Sequence, residues 1–136
     1  MNKDDCIFCK IVKGDIPSKK LYEDEDFLVI LDLQPATKGH ALILPKEHAE
    51  NLYVLSQETA SKALILAKKM AVKMVEKLHC DGLNLVQNNG EIAGQTISHF
   101  HIHVIPRYLN DGQNIKCTPG SASQEELEAV RVLFSE

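Results

Sequence analysis

A chain of 136 residues with 44% hydrophobic content is long enough for one core and too short for two ordinary domains. Its 15 Lys and Arg against 19 Asp and Glu leave a formal charge of −4 with no basic block, which argues against nucleic acid as a partner and leaves room for a small phosphorylated ligand. No stretch approaches the ~20 apolar residues of a membrane span, and Met1-Asn2-Lys3-Asp4-Asp5-Cys6 has no apolar leader, so a cytoplasmic protein away from membranes, with reduced cysteines, is expected.

Asp5 is placed to cap a short helix from Cys6 to about Lys13, with Gly14 as its terminator. Leu21-Tyr22-Glu23 and the run Phe27 to Leu33 flank the acidic turn Asp24-Glu25-Asp26 and read as a hairpin. Pro35 and Gly39 precede a further strand, Ala41 to Leu44 ending at Pro45, and a loop carrying His48 follows. Ser56 caps a long helix in which Ala60, Ala63, Leu64, Ala67, Ala71, Met74, Val75 and Leu78 recur at three- and four-residue steps, so this stripe is expected on the sheet. Ile65, Leu66, Met70 and Val72 lie outside the stripe, and that surplus predicts a subunit interface. His79 reads as a solvated helix-end residue. After Gly82 come the strand Leu83 to Gln87 and the loop Asn88 to Thr96. The tail from Asn110 to Gly120 is polar and turn-rich, and Ser123 with Glu126 forms a capping box for a last helix reaching about Phe134. Short strands clustered around one long helix give a single α+β domain over residues 1–136.

Between loop and tail lies His99-Phe100-His101-Ile102-His103-Val104-Ile105-Pro106, where three of the six histidines alternate with apolar residues. On a strand the three imidazoles share one face at about 6.6 Å spacing, while Phe100, Ile102 and Val104 enter a core. Imidazoles so placed can surround one phosphate or one metal. Gly90 and Gly94 let the preceding loop bring backbone N–H groups close to a ligand, and Asn88, Gln95 and Thr96 add neutral donors, so the loop reads as an oxyanion cradle. Cys6-x-x-Cys9 is half of a zinc site, with redox chemistry and simple burial as open alternatives. Cys80 and Cys117 are read as packing thiols.

The alternation of histidine and apolar residues after Gly94-Gln95-Thr96 resembles the signature of the histidine triad (HIT) family of nucleotide hydrolases and transferases. Cys6 to Ile11 is similar to the amino-terminal segment of the family's Hint branch, Leu31 to Pro35 to its ribose-binding strand end, and Lys38-Gly39-His40 through Lys46-Glu47-His48 to the strand and loop that follow. The likeness covers about residues 6–108 and leaves 109–136 as a tail. It implies a HIT-like fold, an antiparallel sheet of about five strands with one long helix and short terminal helices.

It also implies chemistry. His101 is the nucleophile on the α-phosphorus of a purine nucleoside 5′-phosphoramidate or related nucleotidyl bond, with its ring oriented by a backbone carbonyl. The nucleotidyl-histidine is then hydrolysed to the nucleoside monophosphate. His103 binds a non-bridging oxygen, His40 supports it, and Thr96, Gln95, Asn88 and the Gly94 N–H complete the cradle. Asp32 takes the ribose hydroxyls, and Ile7, Phe8, Ile16 and Ile30 line the base pocket. As in bacterial members, a structural zinc, one per chain, is implied on Cys6, Cys9, His48 and His99, together with a homodimer joined through the long helix and an edge strand. Three other readings compete. A dinucleoside polyphosphate hydrolase leaves the same intermediate, a nucleotide-binding regulatory protein binds without turnover, and a metal-dependent hydrolase uses His101, His103 and a third histidine as ligands.

Overall fold

Alternation along two central strands builds a core on each side of one sheet. In the computed structural model, which describes residues 3–135, strands β1 (Lys20–Glu23), β2 (Phe27–Leu31), β3 (Ala41–Pro45), β4 (Gly82–Val86) and β5 (Ile102–Arg107) form a fully antiparallel sheet in the order β1-β2-β3-β5-β4. Phe27, Val29, Ala41, Ile43, Ile102 and Val104 point to one face, against helix α2 (Gln57–Leu78). Leu28, Ile30, Leu42 and Leu44 point to the other, against helix α1 (Ile7–Lys13). Both sides of β2 and β3 are therefore buried, which is why these segments read as continuous apolar runs. The α+β class, the five antiparallel strands, the long helix and a short helix near each end agree with the sequence.

Helix ends follow their residues closely. Ser56 caps α2 through the Thr59 N–H, and the Ser123–Glu126 capping box opens α3 (Gln124–Leu133). Glu47, unremarked in the sequence, accepts from the Ser56 N–H and from the Ser56 and Thr59 hydroxyls, tying the His48 loop to the start of α2. His79 sits exposed at the C-cap of α2 in the left-handed region, with φ 54°.

Four expectations are corrected. Cys6, not Asp5, caps α1, its Sγ accepting from the Cys9 N–H at 3.4 Å. The buried stripe of α2 is Ala63, Leu66, Ala67, Met70 and Met74, rotated about 60° from the predicted one at 100° per residue. Leu64 (65% exposed) and Val75 (51% exposed) therefore leave the core, and Leu66 and Met70 enter it. β5 begins only at Ile102, so His99 ends a bend, His101 lies on the irregular lead-in, and His103 alone stands in the strand. Phe100 nevertheless joins the α2-side core, so the alternation of faces holds through the lead-in. Cys117 is exposed and so stands outside the core, whereas Cys80 is half-buried.

Candidate functional site

Two clusters of side chains meet on the α1 face of the sheet, and His99 belongs to the first. Cys6 comes from the N-cap of α1 and Cys9 from its first turn, His48 from the loop after β3, and His99 from the lead-in to β5. Their ligand atoms lie within 4.8 Å of one another. Cys6 Sγ is 3.3 Å and Cys9 Sγ 3.5 Å from His99 Nδ1, Cys9 Sγ is 3.2 Å from His48 Nδ1, and the two Nδ1 atoms are 3.3 Å apart. A tetrahedral zinc with bonds of about 2.0–2.3 Å needs ligand separations of about 3.3–3.8 Å, and these four of the six separations lie at 3.2–3.5 Å. His99 Nε2 lies 2.9 Å from the Pro45 carbonyl and must donate to it, so Nδ1 presents a bare lone pair to the other three groups. Burial holds His99, which is 0% exposed, down to about pKa 4, so the ring is neutral at pH 7. Burial beside Cys6 pushes the Cys9 thiol up to about 11. A cation is what would let the pair carry thiolate charge there. The donor set, its spacing and its tautomer fit a closed structural zinc.

The second cluster is a relay of tautomers fixed by backbone groups. His101, 7% exposed, has Nδ1 at 2.8 Å from the His99 carbonyl, so Nδ1 carries the proton and Nε2 holds a free lone pair. His40 Nδ1 accepts from the Ala36 N–H at 2.9 Å, which leaves the proton on Nε2. That proton is donated to His103 Nδ1 at 3.0 Å, so His103 in turn carries its proton on Nε2. Asp32 Oδ2 is 3.6 Å from His40 Nε2, too long to compete with this bond, and Asp32 Oδ1 accepts from the Gln34 N–H at 2.9 Å. Burial lowers the pKa of all three rings, with His103 reaching about 4 under the added influence of His101 and His40. The outcome is a neutral nucleophilic nitrogen on His101 beside an N–H donor on His103, with ring centroids 4.9 Å apart. Asp32, His40 and His103 also form a three-ligand group. The close nitrogens in it are satisfied by one ordinary N–H···N hydrogen bond, and His101 belongs to neither ligand set.

The matching family model is the HIT domain, over residues 13–110. The chain belongs to the HIT family. It is 43% identical over 126 residues to the adenosine 5′-monophosphoramidase of Schizosaccharomyces pombe, covering 92% of each chain. Its fold superposes on the crystal structure of a HIT family member from Bacillus subtilis with a TM-score of 0.90 at 41% identity, covering 96% of this chain and 95% of that one. A zinc-bound histidine triad protein from Mycobacterium smegmatis is 38% identical, with a TM-score of 0.79 over 97% of this chain and 92% of that one.

The remaining expected site residues of this HIT chain divide into two groups. Phe8 packs edge-on against His101 and His99, with centroids at 5.0 and 5.8 Å, and shares a core with Ile30, while Ile16 borders it. Ile7 is 45% exposed and lies outside that core. In the loop, Gly90 and Gly94 take φ of 94° and 101°, but the Gly94 N–H is bonded to the Glu91 carbonyl at 2.9 Å. Gln95 is fully engaged as a brace. Its Nε2 donates to the Glu50 and Ile97 carbonyls and its Oε1 accepts from the Gly90 N–H. Asn88 lies against Gly94, where a Cβ would come 3.2 Å from Asn88 Nδ2, and Thr96 is exposed. Sequence reasoning missed the backbone groups of Ala36 and Pro45 that set tautomers, because peptide groups carry no residue signal. It also missed the Arg107–Asp111 pair, whose bidentate bonds at 2.7 and 3.0 Å fold the start of the tail back on β5.

Proposed function

We propose that this HIT protein is a nucleotide hydrolase of the Hint type, cleaving purine nucleoside 5′-phosphoramidates and related nucleotidyl bonds through a covalent nucleotidyl-His101. The observation that carries the reading is the pairing of a free, neutral His101 Nε2 with a His103 Nε2–H, both set by a chain of hydrogen bonds back to Ala36 and His99. The activity of the 43% identical S. pombe monophosphoramidase supports it.

In the first step His101 Nε2 forms a bond to the α-phosphorus as the P–N bond to the leaving amine breaks, the amine nitrogen taking a proton from solvent water as it departs. The positive charge that develops on the His101 ring is held by the Nδ1–H···O=C bond to His99. His103 Nε2–H donates to a non-bridging oxygen, whose charge grows as phosphorus becomes five-coordinate. In the second step water attacks phosphorus and gives up a proton to solvent, the P–N bond to His101 breaks to return the neutral ring, and the nucleoside monophosphate leaves. Asp32 Oδ2, free of any close backbone donor, takes the ribose hydroxyls, while Phe8, Ile16 and Ile30, with Ile7 at the rim, bound the base. Thr96 and Asn88 complete the cradle. Gln95 acts by holding the loop, and the Gly94 N–H joins if the loop turns it from Glu91.

Zinc on Cys6, Cys9, His48 and His99, as in the bacterial Hint branch, would pin α1 to the segment whose carbonyl orients His101, and its contribution is structural. The whole chain, residues 1–136, is read as one HIT domain. It pairs as a homodimer through the flank of α2 that carries Leu64, Ala71 and Val75 and through the open edge of β4, where Leu85 is 44% exposed.

Two successive in-line displacements retain configuration at phosphorus and one inverts it. Turnover of a chiral α-phosphorothioate phosphoramidate in ¹⁸O-water is expected to give retention. Inversion would show that water attacks directly and would remove His101 as nucleophile.

A further inference from the structure

The loop between β2 and β3 carries a site residue at each end, Asp32 and His40, and its base is closed by the Asp32 N–H donating to the His40 carbonyl at 2.9 Å. Inside it, Ala36 and Thr37 hold His40 from two sides. The Ala36 N–H donates to the ring at Nδ1, and the Thr37 carbonyl accepts from the His40 N–H at 3.2 Å. Residues 32–40 belong to no helix or strand, so the place of the Ala36 N–H rests on what else ties the loop down.

Three side-chain bonds tie it to the segment from Pro106 to Gln113. β3 and β5 pair at Ile43–Ile102, Leu42–His103 and Ala41–Val104, and the ladder ends there. Past that end the Thr37 hydroxyl donates to the Pro106 carbonyl at 2.5 Å, with Thr37 only 8% exposed and Pro106 fully buried. On the outer side the Tyr108 hydroxyl donates to the Lys38 carbonyl at 2.7 Å, and Gln113 Nε2 to the Ala36 carbonyl at 2.8 Å. The two outer bonds are exposed and compete with water, whereas the Thr37 bond is shielded from it.

Building on the nucleotidyl-transfer reading above, we propose that Thr37 is a positioning residue: its buried hydroxyl fixes the His40 loop to β5, the strand of His103, and thereby holds both rings in the Nε2–H tautomer. Without this tie the Ala36 N–H no longer stays on His40 Nδ1, and His40 is free to carry its proton there. Its Nε2 would then turn a lone pair toward His103 Nδ1 at 3.0 Å, and the two nitrogens are compatible only if His103 moves its own proton to Nδ1. His103 would lose the Nε2–H that meets the non-bridging oxygen in the transition state. Thr37 acts through the two rings and not on the substrate.

Full-length, zinc-loaded protein ¹⁵N-labelled at histidine reports the tautomer of each ring through two-bond ¹H–¹⁵N correlations, with no nucleotide present. Wild type and Thr37→Ser, which keeps the hydroxyl, are expected to show His40 and His103 in the Nε2–H form alone. Thr37→Val, matched in shape but without the hydroxyl, should add an Nδ1–H form of His103. Its kcat on an adenosine 5′-phosphoramidate should fall about 10-fold with KM within about twofold, short of the roughly 100-fold or more that outright loss of a transition-state donor costs. Tyr108→Phe cuts one outer tie of the same loop and stands in where Thr37→Val does not fold; it should show the same Nδ1–H form at lower intensity. Wild-type tautomers in folded Thr37→Val, or in Tyr108→Phe in its place, overturn the positioning role even if Tm drops, and so does an Nδ1–H form equally strong in Thr37→Ser. Wild type that shows the expected tautomers but does not turn over the phosphoramidate overturns the nucleotidyl-transfer reading, while the variant spectra still decide the tie.

Discussion

Replacing His103 with Asn tests the neutral relay through stability alone. An unfolded-chain imidazole titrates near 6.5, whereas burial, with His101 and His40 nearby, holds folded His103 to about 4. Between those values the unfolded chain binds the extra proton, so His103 contributes full stability above pH 6.5 and loses it as pH falls toward 4. The slope is about 1.4 kcal/mol per pH unit, which gives about 2 kcal/mol between pH 6.5 and 5. His99, also held to about 4, adds a parallel loss, but it is present in both proteins and cancels in the difference. Urea unfolding of wild type and His103→Asn at several pH values between 7 and 5 is the assay. Wild type should lose about 2 kcal/mol more than the variant over that range. Parallel curves would show that His103 titrates in the folded protein as it does unfolded, and the tautomer relay would fall with it.

Other perturbations separate the two clusters. His40→Leu removes the donor to His103 Nδ1 and should lower kcat/KM about 10- to 100-fold, by the ~1–3 kcal/mol that an unpaired buried acceptor costs, with the melting temperature checked alongside. Asp32→Ala should weaken nucleoside phosphoramidate turnover by a similar factor while leaving a ribose-free phosphoramidate unaffected. Chelation, or Cys9→Ser, should release about one metal per chain and cost at least about 3 kcal/mol, roughly 10 °C in Tm, whereas His101→Ala should keep both metal and Tm. Gly39→Ala places a Cβ at φ 92° against the Leu78 side chain, and urea titration should show a loss of about 1–3 kcal/mol.

Most of the strand order was not readable from the chain, but its segments were, because Gly14, Pro35, Gly39, Pro45 and Gly82 punctuate them. The metal cluster was legible only as residue types. Cys6 and His99 lie 93 positions apart, and nothing short of the fold shows their atoms at 3.3 Å. The rotation of α2 escaped because Leu64 and Val75 are as apolar as Leu66 and Met70, and periodicity alone does not separate a core face from a flank. The end of strand pairing before His101 escaped for a related reason: alternation of faces continues through a bent lead-in that has no partner strand. The neutral forms of His40, His101 and His103 depend on carbonyls and N–H groups that every residue type supplies equally, so the sequence offered the histidines without their protons.

Intact-protein mass measurement after acid-free quenching of the zinc-loaded protein with an adenosine 5′-phosphoramidate bears most directly on the central assignment. The account predicts an adenylyl adduct on wild type, mapped to His101, and none on His101→Ala that retains its metal and fold. An adduct mapped to another residue, or turnover that survives in His101→Ala, would contradict it.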